Sequence, residues 1–164
     1  MKNMKATKIN ILGLLAIAVM VVLQSCGGTK TVVNATPKKT KNFAFDFVES
    51  NKLQSVLDLA AAENKLVFLD VYTTWCLPCK MMEENVFTDK TTAAIINKDF
   101  ISYKVDAEKS NGLNVAFQYD VSEYPTILFL DAQGNVLERG VGTHYHTKLV
   151  NLAASALVKA RISE

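Results

Sequence analysis

The feature that most constrains the fold is an apolar run that ends shortly before a pair of cysteines. The run is Leu66–Tyr72, interrupted by Asp70, and the pair is Cys76 and Cys79. A run that is apolar nearly throughout is typical of a central strand covered on both faces. A helix is expected from about Cys76, and the partial positive charge of its N-terminus would favour a thiolate on the first sulfur. Two thiols at this spacing can close a disulfide and open it again.

A metal site is the main competing interpretation of the pair, because zinc sites use the same spacing. A structural zinc needs two more ligands, and the one other cysteine, Cys26, belongs to the leader described below. His144 and His146 lie far along the chain with no cysteine nearby. A purely structural disulfide is disfavoured as well, because so short a ring removes little entropy from the unfolded chain. The sequence therefore favours redox chemistry with no metal and no cofactor, and zinc stays as an alternative.

The residues around the cysteines narrow the interpretation to one family. Residues 75–80 read Trp-Cys-Leu-Pro-Cys-Lys, and with the strand before them they resemble the active-site motif of the thioredoxin superfamily. Residues 86–89, 105–106 and 124–130 resemble a branch that contains the C-terminal periplasmic domain of DsbD and small thioredoxin-like lipoproteins. The resemblance implies an α/β thioredoxin fold, with a central mixed β-sheet flanked by helices on both faces. It also implies a thiol-disulfide oxidoreductase.

Residues 1–25 have the pattern of a targeting segment. Three lysines precede an apolar stretch at residues 9–23, which is shorter than the roughly 20 residues that a membrane span needs. The stretch leads into Leu-Gln-Ser-Cys, ending at Cys26, and this resembles the bacterial lipoprotein signal, in which the cysteine is lipidated and becomes the first residue. Gln24 departs from that family, which more often has a small or apolar residue there. The resemblance implies a lipid anchor on Cys26, and an ordinary secretory signal with an unrelated cysteine is the alternative.

The remainder divides into a tether and one domain. Residues 26–42, the lipidated cysteine and a polar stretch with Gly and Pro, are interpreted as a flexible tether, and residues 43–164 as a thioredoxin-like domain. Without the leader the chain carries 15 basic and 16 acidic residues, which predicts no nucleic-acid partner. The expected protein is a monomer on the bacterial cell envelope that faces the periplasm or the cell exterior. Its expected partners are the membrane, through the lipid anchor, protein disulfide substrates and a thiol electron donor.

Apolar periodicity predicts the elements of the domain, with period two indicating strands and a period near 3.6 indicating helices. The predicted strands are the alternating Phe43, Phe45 and Phe47, then residues 66–72, 100–106, 126–130 and 136–141. The predicted helices are residues 53–64, one from about Cys76, one capped by Thr88 or Asp89 and ending near Lys98, then 112–119 and 149–160.

The resemblance assigns roles to the residues of the motif. Cys76, the exposed first cysteine, is expected to attack a substrate disulfide, and the more buried Cys79 to resolve the mixed disulfide. Asp70 stands in an apolar strand, where a charge is rarely buried without a reason, and thioredoxins have there a buried aspartate that relays the second cysteine's proton. A solvent-facing Asp70 is the alternative. Lys104 is a candidate partner of Asp70, with the strand register left open.

A second segment is expected to complete the site. Tyr124 and Pro125 precede an apolar strand and resemble the superfamily's cis-proline, beside which the preceding residue's backbone pairs with an extended substrate. Tyr124 replaces the usual Ile, Val or Leu, which changes the shape of the groove. Trp75 is expected to shield the sulfurs, with packing alone as the alternative. His144 and His146 are expected in the loop before the last helix.

Three functions fit these residues. The leading hypothesis is a disulfide reductase, because so few cysteines suit an electron carrier better than a disulfide-stapled module. An oxidase or isomerase of folding proteins is the second hypothesis. A non-catalytic adaptor with a vestigial motif is the third, and the intact Cys76, Cys79, Asp70 and Pro125 argue against it.

Overall fold

A single mixed β-sheet organises the part of the chain that the structure, a computed structural model, describes: residues 38–39 and 43–163. Residues 1–37, which include Cys26, lie outside this part, as do residues 40–42 and 164. The strands are β1 (Lys38–Lys39), β2 (Phe47–Glu49), β3 (Leu66–Tyr72), β4 (Phe100–Asp106), β5 (Thr126–Leu130) and β6 (Val136–Val141). The helices are α1 (Leu53–Glu63), α2 (Leu77–Asn85), α3 (Lys90–Asp99), α4 (Asn111–Gln118) and α5 (His146–Ile162).

The sheet has the order β1-β2-β4-β3-β5-β6. Strands β2, β4 and β3 are parallel, whereas β5 and β6 run antiparallel to β3 and to each other. This mixed sheet, with helices on both faces, confirms the predicted fold class. None of the helices among the described residues is long and apolar enough to cross a membrane.

The two faces of the sheet carry two separate cores. Alternate residues of β3 point to opposite faces, so that Val67, Leu69 and Val71 pack with α1 and α4. Phe68 packs on the other face with residues of α2, α3 and α5. Asp70 is two residues further along β3 and therefore lies on the same face as Phe68, the face that α2 covers.

Two segments differ from the expectation. The strand predicted over Phe43, Phe45 and Phe47 begins only at Phe47, as β2, and the backbone N–H groups of Ala44 and Phe45 donate to the carbonyl of Phe87, in the loop after α2. Two residues of the predicted tether, Lys38–Lys39, pair with β2 as a short antiparallel edge strand. The remaining elements lie close to their predicted positions.

Candidate active site

The two cysteines form a disulfide at the N-terminus of α2. Cys76 is the N-cap residue, and its Sγ accepts a hydrogen bond from the Cys79 N–H at 3.1 Å. The sulfurs are 1.98 Å apart. Pro78 lies in the first turn, where a helix has no internal partner for a backbone N–H. When the disulfide opens, the free N–H groups of this turn favour a thiolate on Cys76.

The prediction that Cys76 is exposed is wrong for this oxidised state. Cys76 and Cys79 are each only 3 % exposed, so that neither is more accessible than the other. In the disulfide each sulfur covers part of the other. The predicted difference in reactivity concerns the reduced thiols and stays a prediction.

Asp70 is buried, and the solvent-facing alternative is wrong. The residue is 2 % exposed, and its Oδ1 has no hydrogen-bond partner among the described residues. Burial raises the pKa of the Asp70 carboxyl to about 7, an effect that the positive charge of Lys104 opposes and the negative charge of Glu83 reinforces. A carboxyl group that titrates near neutral pH can take up and release a proton under physiological conditions.

Lys104 and Glu83 lie close to Asp70. The parallel register pairs Asp70 with Lys104 across β3 and β4, so that both side chains share one face. The Lys104 ammonium is 4.4 Å from the centre of the Tyr72 ring and forms its ion pair with Glu83 of α2. Lys104 was a candidate partner of Asp70. Its charge lowers the pKa of Asp70, but its ion pair is with Glu83.

Glu83 is the site residue that sequence reasoning missed. It follows Cys79 by four residues, which places both on the same side of α2. Both line a cavity of about 210 Å³ together with Tyr72, Thr73, Thr74 and Lys80. A larger cavity of about 650 Å³ is lined by none of the predicted site residues. The spacing from Cys79 was the signal available in the sequence.

The Tyr124–Pro125 peptide bond is cis, as predicted. Thr126 pairs with Val71 in the antiparallel register, which brings this segment to the end of β3 that leads to the cysteines. The Trp75 ring lies edge-on to the Tyr124 ring with 6.0 Å between centroids. Trp75 is 64 % exposed, and its Nε1 donates to Glu108 Oε1 at 2.9 Å. The two aromatic rings thus form one wall beside the disulfide segment.

The two histidines do not converge on a common site. His144 lies in the predicted loop and is buried, and its Nδ1 is 2.7 Å from the carbonyl oxygen of Gly142. His146 is already the first residue of α5, and its Nδ1 is 3.0 Å from Oγ1 of Thr92 on α3.

Comparison with known proteins places the chain in a family. The model of the thioredoxin-like family matches residues 49–132, slightly more than half of the chain. A solved candidate disulphide-isomerase from Bacteroides thetaiotaomicron is 34% identical, with 72% of this chain and 97% of that one covered and a TM-score of 0.62. Thioredoxin-1 of Drosophila melanogaster is 39% identical over 102 residues, which are 62% of this chain and 88% of that protein.

The resemblance to DsbD that the sequence motifs indicate is confirmed by sequence identity over one segment of that protein. The thiol:disulfide interchange protein DsbD of Yersinia pestis is 38% identical over 85 residues, 51% of this chain. The matched segment is only 14% of the length of DsbD, so that most of DsbD has no counterpart in the alignment. The chain therefore belongs to the thioredoxin-like family of disulfide oxidoreductases, with Cys76 and Cys79 as its CxxC pair.

Proposed function

We propose that this protein is a lipid-anchored, extracytoplasmic reductase of protein disulfides. The observation that carries the redox part of the proposal is Asp70, a carboxyl group with a pKa of about 7 that is buried on the sheet face covered by α2, the active-site helix. A structural disulfide has no use for such a group, whereas a dithiol that must lose and regain protons does. The anchor and the location rest on the leader that precedes Cys26.

The reaction proceeds in two exchanges. The Cys76 thiolate attacks one sulfur of a substrate disulfide, forming a mixed disulfide and releasing the other substrate sulfur as a thiolate that takes a proton. Asp70 accepts the thiol proton of Cys79, and the resulting thiolate attacks the Cys76 sulfur of the mixed disulfide. The second substrate sulfur leaves as a thiolate and takes up a proton. The substrate gains two electrons, and Cys76 and Cys79 return to the disulfide. A thiol electron donor then restores the dithiol.

The charges near the dithiol favour reduction over oxidation. A strong oxidant of this fold stabilises its reduced form through a low thiol pKa. When ionised, Asp70 places negative charge on the sheet face that α2 covers, which raises the pKa of a neighbouring thiol, while Glu83 and Lys104 form an ion pair and largely offset each other. The dipeptide between the cysteines is Leu-Pro, without a histidine to stabilise a thiolate. These features favour a reduction potential of about −270 mV over one of about −120 mV.

The segment beside the cysteines suits an extended peptide. The backbone N–H and C=O of Tyr124 make no hydrogen bond within residues 43–163, and they precede the cis-proline. A substrate strand that pairs with these groups brings its disulfide to Cys76 by the β-strand addition that many peptide-binding proteins use. The Tyr124 and Trp75 rings then contact the side chains of the substrate.

An isomerase is the second candidate, and one comparison favours it. The solved relative from Bacteroides thetaiotaomicron is described as a candidate disulphide-isomerase, and the chain covers 97% of it. An isomerase uses the same Cys76 attack but releases a rearranged disulfide before Cys79 resolves the intermediate. The two functions therefore differ in reduction potential and in the need for Cys79.

Two measurements test the proposal. Purified protein without the leader should reduce insulin disulfides, Cys76→Ala should abolish this activity, and Cys79→Ala should accumulate a covalent mixed disulfide. The reduction potential, measured in glutathione and dithiothreitol buffers, should lie near that of thioredoxin. A potential above about −180 mV, the value of disulfide isomerase, would falsify the reductase and favour the isomerase.

A further inference from the structure

A buried histidine connects the active-site helix to the cis-proline hairpin. The His144 backbone N–H donates to Sδ of Met82, on α2, at 3.4 Å. The His144 Nδ1 is 2.7 Å from the carbonyl oxygen of Gly142. Because a carbonyl only accepts, Nδ1 must carry the hydrogen, and the neutral ring leaves Nε2 as an acceptor. Burial lowers the pKa of His144, which favours this neutral form.

Gly142, whose carbonyl oxygen accepts from His144, is also hydrogen-bonded to Pro125. The Gly142 N–H donates to the carbonyl oxygen of Pro125 at 2.8 Å. The register of β5 and β6 ends with the pair Thr126 and Val141, and Gly142 has φ +78, so that the chain turns away immediately afterwards. The imidazole of His144 thus fixes the end of the hairpin, where no further strand pairing follows.

Space for the imidazole depends on a glycine of β6. A Cβ on Gly140 would lie 2.7 Å from Nε2 and 2.8 Å from Cε1 of His144. Gly140 does not have a positive φ, so that its missing side chain serves to admit the ring and not to permit an unusual backbone. The ring is therefore in close contact with the strand as well as hydrogen-bonded to the turn.

We propose that His144 is a positioning residue for substrate binding. Its Nδ1–H holds Gly142, Gly142 holds the carbonyl of Pro125, and Pro125 fixes the backbone of Tyr124 on which an extended substrate pairs. The substrate part rests on the proposed function, whereas the hydrogen bonds that position Pro125 do not depend on it.

The kinetic test compares variants that keep or remove the donor. His144→Leu fills the site without an N–H, and we expect the KM for insulin to rise about fivefold with kcat unchanged, as for the loss of one neutral hydrogen bond of about 1 kcal/mol. His144→Asn retains an N–H near Nδ1 and should restore KM. His146→Leu removes the other histidine and should leave KM unchanged. If His144→Leu does not fold, His144→Gln replaces it, because its amide matches Nε2 and not Nδ1.

Amide hydrogen exchange of Gly142 in the free protein supplies a test without substrate. Exchange at this N–H should be about fivefold faster in His144→Leu and restored in His144→Asn, while the free energy of unfolding corrects for global effects. A wild-type protein that fails to reduce insulin overturns the proposed function and leaves this test intact. Unchanged Gly142 exchange in His144→Leu, or a loss that His144→Asn does not reverse, overturns the positioning role.

Discussion

At the scale of single residues, the burial of Asp70 favours proton transfer but lowers the stability of the fold. Its carboxyl group is buried, and one oxygen has no hydrogen-bond partner among the described residues, an arrangement that costs folding free energy. The same burial raises the pKa of Asp70 to about 7, where the group exchanges protons readily near neutral pH. We therefore expect replacement of Asp70 to slow the resolving step and to stabilise the fold.

Asp70→Asn should be more stable than the wild type at pH 8 by up to about 4 kcal/mol, which is the linkage value for a carboxyl whose pKa rises from 3.8 to about 7. Between about pH 4 and about pH 7 the folded state binds a proton at Asp70 that the unfolded state has lost. The stability of the wild type therefore falls as pH rises from about 4 to about 7, and the advantage of the variant disappears below pH 4.

Urea unfolding of the oxidised proteins at several pH values measures this difference. Asp58→Asn, at an exposed aspartate of α1, is the matched control and should show no comparable pH-dependent gain. A gain for Asp70→Asn that is equal at pH 4 and pH 8 would contradict the assigned cause.

The neighbours of Asp70 should shift its pKa in opposite directions. Glu83→Gln removes a negative charge that raises the pKa of Asp70, so that this pKa should fall. Lys104→Met removes a positive charge that lowers it, so that it should rise. Titration of the Asp70 carboxyl carbon by NMR measures both shifts. Shifts of the same sign in the two variants would show that packing, and not charge, dominates.

At the scale of elements, the sequence predicts best where local pattern and packing agree. Leu66–Tyr72 was predicted residue for residue, because a strand buried on both faces is apolar almost throughout. Phe43 and Phe45 alternate like a strand, yet their rings contact Phe87, at 6.2 and 5.1 Å between centroids, and the backbone there bonds to the loop after α2. Alternation alone does not distinguish a strand from an extended segment that fills a core.

The site was predictable only as far as its motif reached. Cys76, Cys79, Asp70 and the cis bond before Pro125 follow from short patterns that resemble one family. Glu83 could not be assigned, because its role depends on which face of α2 rests on the sheet and on the register of β3 and β4. Such relations arise from tertiary packing, and the spacing of Glu83 from Cys79 alone does not reveal them.

The junction of β4 and α4 depends on a glycine. A Cβ on Gly112 would lie 1.8 Å from the carbonyl oxygen of Asp106, so that either the helix or the strand end would have to move. Gly112→Ala should therefore lower the free energy of unfolding by about 2–3 kcal/mol or more. Asn114→Ala, on the exposed side of the same helix, should be neutral or slightly stabilising. Denaturant unfolding compares the two, and equal stabilities would contradict the predicted clash.

At the scale of the whole domain, the topology places the site at the edge of the sheet that is formed by the carboxyl ends of β3 and β4. The parallel strands β3 and β4 end together at Tyr72 and Asp106, and the antiparallel β5 begins beside this edge. The active-site helix, the cis-proline and the end of β6 therefore meet without any long connection. This agrees with the rule that sites of α/β proteins lie at the carboxyl ends of parallel strands.

The proposed lipid anchor determines where in the cell the active site can act. A lipoprotein cysteine that carries two or more acyl chains stays on a membrane, whereas a single chain binds only marginally. We therefore expect the wild-type protein to partition with membranes and to carry acyl mass on Cys26, by mass spectrometry of its mature N-terminus. Cys26→Ser should release soluble protein or leave an unprocessed precursor, while the purified domain still reduces insulin. A mature wild-type protein that is cleaved elsewhere and lacks acyl groups would exclude the anchor and leave the oxidoreductase assignment unchanged.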